Sequence, residues 1–369
     1  ITNGEGCNID WRKVLPEYDV ADAGNKNFLL SQQLWNLDER LLNRRPEICA
    51  VYSGLPEILL GQPMPRTLEA YRAICERLDA AGVRPVILLT LPASGEHPGL
   101  NDRIARLNEA LKGFAASRGY ACFDPSAGLT DGICLSAEYT ADGVMLDEAG
   151  LARFAANVRQ FLGGMLPDGE PRPASVRSNL AGEVIRRILS ESPAKVRIVL
   201  LGDSLTANGR DWNPRLGRND IRNAGQGGYL TGQMLWMLDT CVIAARPEIC
   251  FVLAGINDLF NDIPPATVFA NQRRIVTRLI AGGVRPVVQS VLFVHGNPAL
   301  NARIGELNAR LREWCAENGI DWLDLNPDLA DADGLKREYT TDGTHLTEQG
   351  YAIWSGRLRR YLDNRNTNL

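Results

Sequence analysis

The hydrophobic positions in the second half of the chain fall into two alternating patterns. Short apolar runs at 196–201, 249–254, 287–292 and 322–325, with a more mixed segment at 220–223, predict strands covered on both faces, as in a parallel sheet. Between them, apolar residues recur at three- and four-residue spacing over 231–244, 265–281, 300–317 and 347–362, which predicts amphipathic helices. Strand–helix alternation of this kind predicts an α/β fold, with helices on both faces of a parallel sheet. The first run, Val196-Arg-Ile-Val-Leu-Leu201, stops abruptly in Gly202-Asp203-Ser204-Leu205. Open α/β sheets place ligands at the carboxyl ends of their strands, so Ser204 is a candidate nucleophile. Taken alone, the tetrapeptide also reads as a plain strand-to-loop turn, because Gly, Asp and Ser favour turns for conformational reasons.

The same pattern is written twice. Arg45-Pro-Glu-Ile-Cys49 recurs as Arg246-Pro-Glu-Ile-Cys250, and Ala81-Gly-Val-Arg-Pro-Val86 as Gly282-Gly-Val-Arg-Pro-Val287. After a one-residue slip, Leu107-Asn108 matches Leu307-Asn308, and Glu138-Tyr-Thr-Ala-Asp-Gly143 matches Glu338-Tyr-Thr-Thr-Asp-Gly343. Matches of this length, held in register, predict a duplicated domain rather than a solenoid, which would repeat at shorter intervals. The predicted organisation is a first domain at 1–165, a linker with a helix at 166–194, and a second domain at 195–369. Leu166-Pro-Asp-Gly-Glu-Pro-Arg-Pro173 supplies the linker chemistry, and a stripe of Val176, Leu180, Val184, Ile185, Ile188 and Leu189 the helix. Ile1-Thr-Asn-Gly4 aligns with the residues just after Ser204, Leu205-Thr-Ala-Asn208-Gly209. That alignment predicts a segment preceding Ile1 that carries the first copy's opening strand.

Composition narrows the function classes. The 369 residues are 45% hydrophobic with a formal net charge of −4, ordinary values for a globular chain, and show no dense basic tract of the kind nucleic-acid binders use. Nucleic acid is not an expected partner, and the oligomeric state is left open. No apolar run approaches the roughly 18 residues of a membrane span, so the chain reads as soluble, cytoplasmic or exported. The eight cysteines form no close CxxC pairs and several lie in apolar runs, which reads as buried thiols rather than a zinc site or disulfide framework.

Three further stretches in the second half carry chemistry. Asn223-Ala-Gly-Gln-Gly-Gly-Tyr-Leu-Thr231 is a glycine-rich loop in which the backbone N–H of Gly228 could approach a substrate closely. Gly255-Ile-Asn257-Asp258 ends the third strand and supplies a side-chain amide donor, although Asn257 and Asp258 also suit a helix cap. Asp342-Gly-Thr-His345 places a carboxylate three residues before an imidazole, close enough to orient a general base; Asp342 also suits a turn. His345 is one of three histidines, and neither His97 nor His295 has a carboxylate three residues before it, so these two read as loop or substrate-rim residues. The Gly-x-Ser-x-Gly elbow of α/β-hydrolases is absent around Ser204.

With these residues in order, the second half resembles the SGNH or GDSL hydrolase family over about residues 195–362. The resemblance implies two tandem flavodoxin-like three-layer α/β/α domains with parallel sheets. It also implies a serine esterase mechanism with no metal and no cofactor. Carried to the matching positions, it implies Ser204 as nucleophile, His345 as base and Asp342 as its orienter. The Ser204 N–H, the Gly228 N–H and the Asn257 side chain would form the oxyanion hole. The run Gln289-Ser-Val-Leu-Phe-Val294 and the segment Tyr339–Leu346 are similar to a bacterial branch that includes carbohydrate O-acetylesterases, such as sialate O-acetylesterases, and platelet-activating-factor-acetylhydrolase-like enzymes. That similarity implies hydrolysis of short acetyl esters on a sugar or glycan. A lysophospholipase or thioesterase, and a non-catalytic glycan-binding protein, are the alternatives.

The first copy lacks this chemistry. Met145 stands at the place of His345, Pro56 and Glu57 at those of Asn257 and Asp258, and Asn27 at that of Gly228; Asp142 and Gly54 remain. A thioether accepts no serine proton and proline has no side-chain amide. The first copy is therefore expected to be inert, with a structural role ahead of a role in binding polymeric or glycosylated substrate.

Overall fold

The computed structural model describes residues 9–16, 18–20, 23–24, 28–35, 37–165 and 180–366. Ile1–Gly4, Asn27, Val176 and the proline-rich stretch 166–173 lie outside the described residues. The chain divides into two units, Ile1–Ala181 and Gly182–Leu369.

In the first unit, β1 (Ile48–Tyr52), β2 (Arg84–Leu88) and β3 (Ala121–Phe123) form a parallel sheet in the order β1-β2-β3. The helices include α1 (Leu30–Trp35), α2 (Leu55–Leu60), α3 (Met64–Ala80), α4 (Pro98–Arg118) and α5 (Glu148–Gly163). Two large apolar clusters, with a smaller one around Ala93, Leu100 and Ile104, lie in the core of this unit among the described residues. One gathers Tyr71, Ile74 and Leu78 of α3 with Ile87, Leu107 and Leu111, and the other gathers Phe154 and Val158 of α5 with Val86 and Leu88. Alternate residues of β2 thus feed opposite clusters, as the period-2 geometry of a doubly covered strand requires.

The second unit opens with α6 (Leu180–Ser190) and continues through β4 (Ile198–Gly202), α7 (Ser204–Asn208), β5 (Ile221–Gly225) and α8 (Thr231–Cys241). Then come β6 (Ile249–Leu253), α9 (Ile256–Phe260), α10 (Pro265–Ala281), β7 (Arg285–Gln289), α11 (Pro298–Glu317), β8 (Asp321–Leu323) and α12 (Glu348–Asn366). The five strands are all parallel, in the order β8-β7-β6-β4-β5. In order of appearance this is 2-1-3-4-5 read from the other edge, the flavodoxin-like doubly wound arrangement. Its switch point lies between β4 and β6, the strands that lead into Ser204 and Asn257.

Every residue of β4 is buried, which is the central position an unbroken Val/Ile/Leu run predicts. The core packs Trp212, Tyr351 and Trp354 under this end of the sheet, with the two tryptophan rings edge to face at 4.8 Å. The strand expected over 287–292 instead spans Arg285–Gln289. Beyond Gln289 the apolar run continues, but the Asn308 side chain accepts the Val291 N–H at 2.9 Å and donates to the Val291 carbonyl at 2.8 Å. Its backbone groups are satisfied by a helix side chain instead of a ladder.

Candidate active site

Two glycines bring the candidate nucleophile close to the sheet. Gly202 and Gly225 are register partners at the ends of β4 and β5, and α7 lies directly over them. A Cβ on Gly202 would stand 2.6 Å from the Leu253 carbonyl, and one on Gly225 would collide with the Ala207 N–H. Only glycine admits this approach. Asp203 caps α7 by accepting the Leu205 N–H at 3.0 Å, so Ser204 is the first residue of the helix and its own N–H has no acceptor within it.

The structure brings Ser204, His345 and Asp342 together. His345 Nε2 lies 2.9 Å from Ser204 Oγ, and His345 Nδ1 lies 2.6 Å from Asp342 Oδ2. An ionised carboxylate only accepts hydrogen bonds, so Nδ1 carries the proton and Nε2 presents its lone pair to the serine hydroxyl. Asp342 also makes the turn that its alternative reading anticipates. Its Oδ1 accepts the N–H groups of Thr344 at 2.9 Å and His345 at 2.8 Å. Partial burial pushes its carboxyl up, but the bonds from the His345 ring and from these N–H groups outweigh that and pull it down to about 2. It is therefore ionised throughout the neutral range.

The glycine-rich loop follows β5. Gln226 donates its N–H to the Gly202 carbonyl at 3.0 Å, which ties the loop to the strand that leads into Ser204. Gly228 has a positive φ of 74°, the left-handed region in which glycine carries no side-chain penalty. A Cβ on neighbouring Gly227 would lie 4.0 Å from the Ser204 Cβ, so this loop passes over the serine. Asn257, nearly buried at the start of α9, donates from Nδ2 to the Tyr229 carbonyl at 3.0 Å. An amide nitrogen carries two hydrogens, and this bond occupies one.

Neither Asn257 nor Asp258 caps α9, whose N-cap is Gly255 with no side-chain bond. Asp258 is instead buried, accepting the Thr231 N–H at 2.9 Å and the Thr231 hydroxyl at 2.6 Å, and so latches the start of α8. Burial raises its carboxyl to about 6 against the pull of those two bonds. Asp203 is fully buried with Oδ2 lacking a protein partner, and burial carries it to about 7 despite the Leu205 N–H and the nearby His345. The sequence reading offers Asp258 as a cap for the helix that follows it, whereas it holds the start of α8; the burial of both acids and the capping role of Asp203 went unread.

His295 and His97 stay outside the hydrogen-bonded triad. His295 donates its N–H to the Gly343 carbonyl at 2.8 Å, and its Nδ1 lies 3.0 Å from the Leu335 carbonyl, so it braces the 342–345 turn. His97 precedes α4 at its N-cap without a side-chain bond to the helix. Among the described residues no group of three or more His, Cys, Asp or Glu is placed to hold a metal ion. No helix among them is long and apolar enough to cross a membrane. In the first unit Asp142 keeps the turn, accepting the N–H groups of Val144 at 2.9 Å and Met145 at 2.7 Å.

Residues 200–353 match the family model described as GDSL-like Lipase/Acylhydrolase family. An N-acylneuraminate cytidylyltransferase of Streptococcus agalactiae is 26% identical over 166 residues, which is 45% of this chain and 38% of that protein. The chain thus spans less than half the length of the curated relatives it matches. Among solved structures, a GDSL-like lipase from Bacteroides thetaiotaomicron is 21% identical and covers 50% of this chain and 98% of its own, with a TM-score of 0.47. An acetyl-xylooligosaccharide esterase from Geobacillus is 15% identical, covering 46% and 94%, with a TM-score of 0.39. The segment that the GDSL-like lipase/acylhydrolase model matches, residues 200–353, is the one that holds Ser204, Asn257, Asp342 and His345.

Proposed function

We propose that residues 195–369 form a serine esterase that hydrolyses short acyl esters, acetyl esters of carbohydrate first among them, through an acyl-enzyme. The observation that carries this reading is the continuous chain Ser204 Oγ–His345 Nε2 and His345 Nδ1–Asp342 Oδ2, at 2.9 and 2.6 Å, at the switch point of the sheet. Ser204 Oγ attacks the ester carbonyl carbon while its proton passes to His345 Nε2. The carbonyl electron pair moves onto oxygen, and that oxyanion meets the N–H groups of Ser204 and Gly228 and the amide of Asn257. Asp342, already ionised, stabilises the imidazolium. Collapse of the intermediate breaks the C–O bond, and the departing alcohol takes the proton from His345. Water, deprotonated by the same imidazole, then releases the acid and restores Ser204.

The sugar assignment draws on the relative whose name has it act on N-acylneuraminate, and on the resemblance of the 289–294 and 339–346 segments to carbohydrate O-acetylesterases. The first unit, in this reading, is a degenerate copy joined through 166–194 that acts as structure. The test is hydrolysis of p-nitrophenyl acetate, butyrate and octanoate and of an O-acetylated N-acylneuraminate by the full chain. Release of acetate from the sugar, abolished by Ser204→Ala, is expected. A preference for octanoate or for thioesters would replace the acetylesterase reading with a lysophospholipase or thioesterase. Inactivity on every ester, in a folded protein, would leave a glycan-binding role.

A further inference from the structure

The loop 225–229 carries one expected oxyanion donor, the Gly228 N–H, and borders another, the Asn257 amide. It contains three glycines, so its backbone has unusual freedom, yet donors to a transition-state oxyanion act only when held in place. Two of its restraints are already described: Gln226 N–H to the Gly202 carbonyl near its start, and Asn257 Nδ2 to the Tyr229 carbonyl at its end. A third comes from outside the sheet. Arg187 of α6 donates from Nη2 to the Gly225 carbonyl at 3.0 Å and to Gln226 Oε1 at 3.2 Å, while its Nη1 bonds Glu191 Oε2 at 3.1 Å.

The helix that presents this guanidinium is itself docked. Val184 and Ile188 are buried, and Ser192, just past its end, accepts from Arg222 Nε at 2.7 Å. Arg222 belongs to β5 and donates from Nη1 to the Cys241 carbonyl at 2.8 Å, so one strand residue ties the end of α6 to the end of α8. A guanidinium is planar and presents its donors in a fixed fork, and charge-assisted hydrogen bonds are stronger than neutral ones. It is suited to hold a carbonyl and an amide oxygen at the mouth of a glycine-rich loop.

We propose that Arg187 is a positioning residue for the oxyanion loop, which makes α6 a working part of the catalytic unit. This inference rests on the esterase reading above. Arg187 lies outside the matched residues 200–353, so the family match does not supply it. It touches neither the nucleophile nor the base. Its loss should leave substrate binding intact and weaken stabilisation of the oxyanion alone.

The experiment compares full-length wild type, Arg187→Ala and Arg187→Lys on p-nitrophenyl acetate, with thermal melting recorded for each. Arg187→Ala is expected to lower kcat about ten-fold, less than outright removal of an oxyanion donor, with KM within about two-fold of wild type. Affinity for a short alkyl boronic acid, whose adduct with Ser204 places a negative oxygen in the hole, should fall in the same proportion. Arg187→Lys, with one compact donor group, should lie between. A folded Arg187→Ala with kcat and boronate affinity within two-fold of wild type overturns the proposal. So does a loss of kcat that merely tracks a lowered melting temperature and that lysine does not restore. If Arg187→Ala fails to fold, Arg187→Lys carries the test, with a several-fold loss of kcat expected and an unchanged kcat overturning it. Failure of a fluorophosphonate to label Ser204 in a folded, inactive wild type would instead remove the esterase reading, and this inference with it.

Discussion

The turns at 142–145 and 342–345 share a backbone and differ in two side chains, Val144 against Thr344 and Met145 against His345. Asp142 and Asp342 each accept the N–H groups two and three residues ahead. Each turn is closed by an antiparallel bridge, Thr140 to Leu146 and Thr340 to Leu346. Each is braced from the preceding loop, by Ser94 N–H on the Gly143 carbonyl at 2.7 Å and by His295 N–H on that of Gly343 at 2.8 Å. In the second unit the outer carboxylate oxygen of Asp342 also holds an imidazole; in the first, Met145 stands there. A second acid behaves similarly. Glu57 is fully buried and accepts the Leu30 N–H at 2.8 Å, as Asp258 accepts the Thr231 N–H at 2.9 Å. Both acids therefore have conformational work that needs no catalysis. Asn257 and His345 have no such counterpart in the first unit, where Pro56 and Met145 replace them. The duplicated segments thus keep the acids that shape the backbone and differ at the side chains to which the proposed chemistry is assigned.

The comparison is tested most severely by removing the chemical residues. Ser204→Ala or His345→Ala should each lower kcat about 10³-fold or more with the fold intact, as melting would show. Asp342→Asn keeps an oxygen for the turn but loses the charge that sets the imidazole, and should cost roughly 10²–10⁴ in kcat, whereas Asp142→Asn should leave the rate unchanged. An equal loss from both substitutions would break the distinction drawn between the two turns.

A smaller effect concerns stability against pH. Asp203 and Asp258 are raised to about 7 and about 6 from an ordinary 3.8, so between roughly pH 4 and 7 the folded state binds more protons than the unfolded one. Their contribution to stability is therefore most favourable below about pH 4 and declines as pH rises to 7. Urea melts of Asp203→Asn should show a flatter decline across this window, by an amount on the order of 1 kcal/mol. A slope equal to wild type would count against Asp203 as a buried, protonating acid. The smallest expected effect is none: Met145→His, added to Ser204→Ala, should leave hydrolysis at background although it recreates an Asp–His pair beside Asp142. Any gain in rate would show that the first unit retains more of a site than its residues indicate.

The strands, their parallel arrangement and the residues of the triad were legible because each leaves a local mark. Most of the buried strands are apolar runs, with β5 the mixed exception, and the Asp342–His345 pair lies within four residues. Asp258 was legible as an acid at a strand end but not as the latch on Thr231, because its partner is 27 positions away. Strand β7 was read three residues too far because an apolar run does not reveal that Asn308 takes over its backbone bonds. Arg187 gave no signal at all. It occupies the polar face of a helix recognised by its apolar stripe, and its acceptors lie 38 and 39 positions on.

Helix α12 is anchored to the segment that follows Ser204. Tyr351 of α12 donates its hydroxyl to the Leu205 carbonyl at 2.8 Å, and Trp354 donates to Gln289 Oε1 at 2.7 Å. Ser204 and His345 are 141 positions apart, with β5 through β8 between them. During synthesis Ser204 leaves the ribosome long before His345, and the helix that anchors the segment after Ser204 is made later still. Under the proposed reading a nascent chain is chemically silent until α12 docks, and the appearance of esterase activity would time that docking.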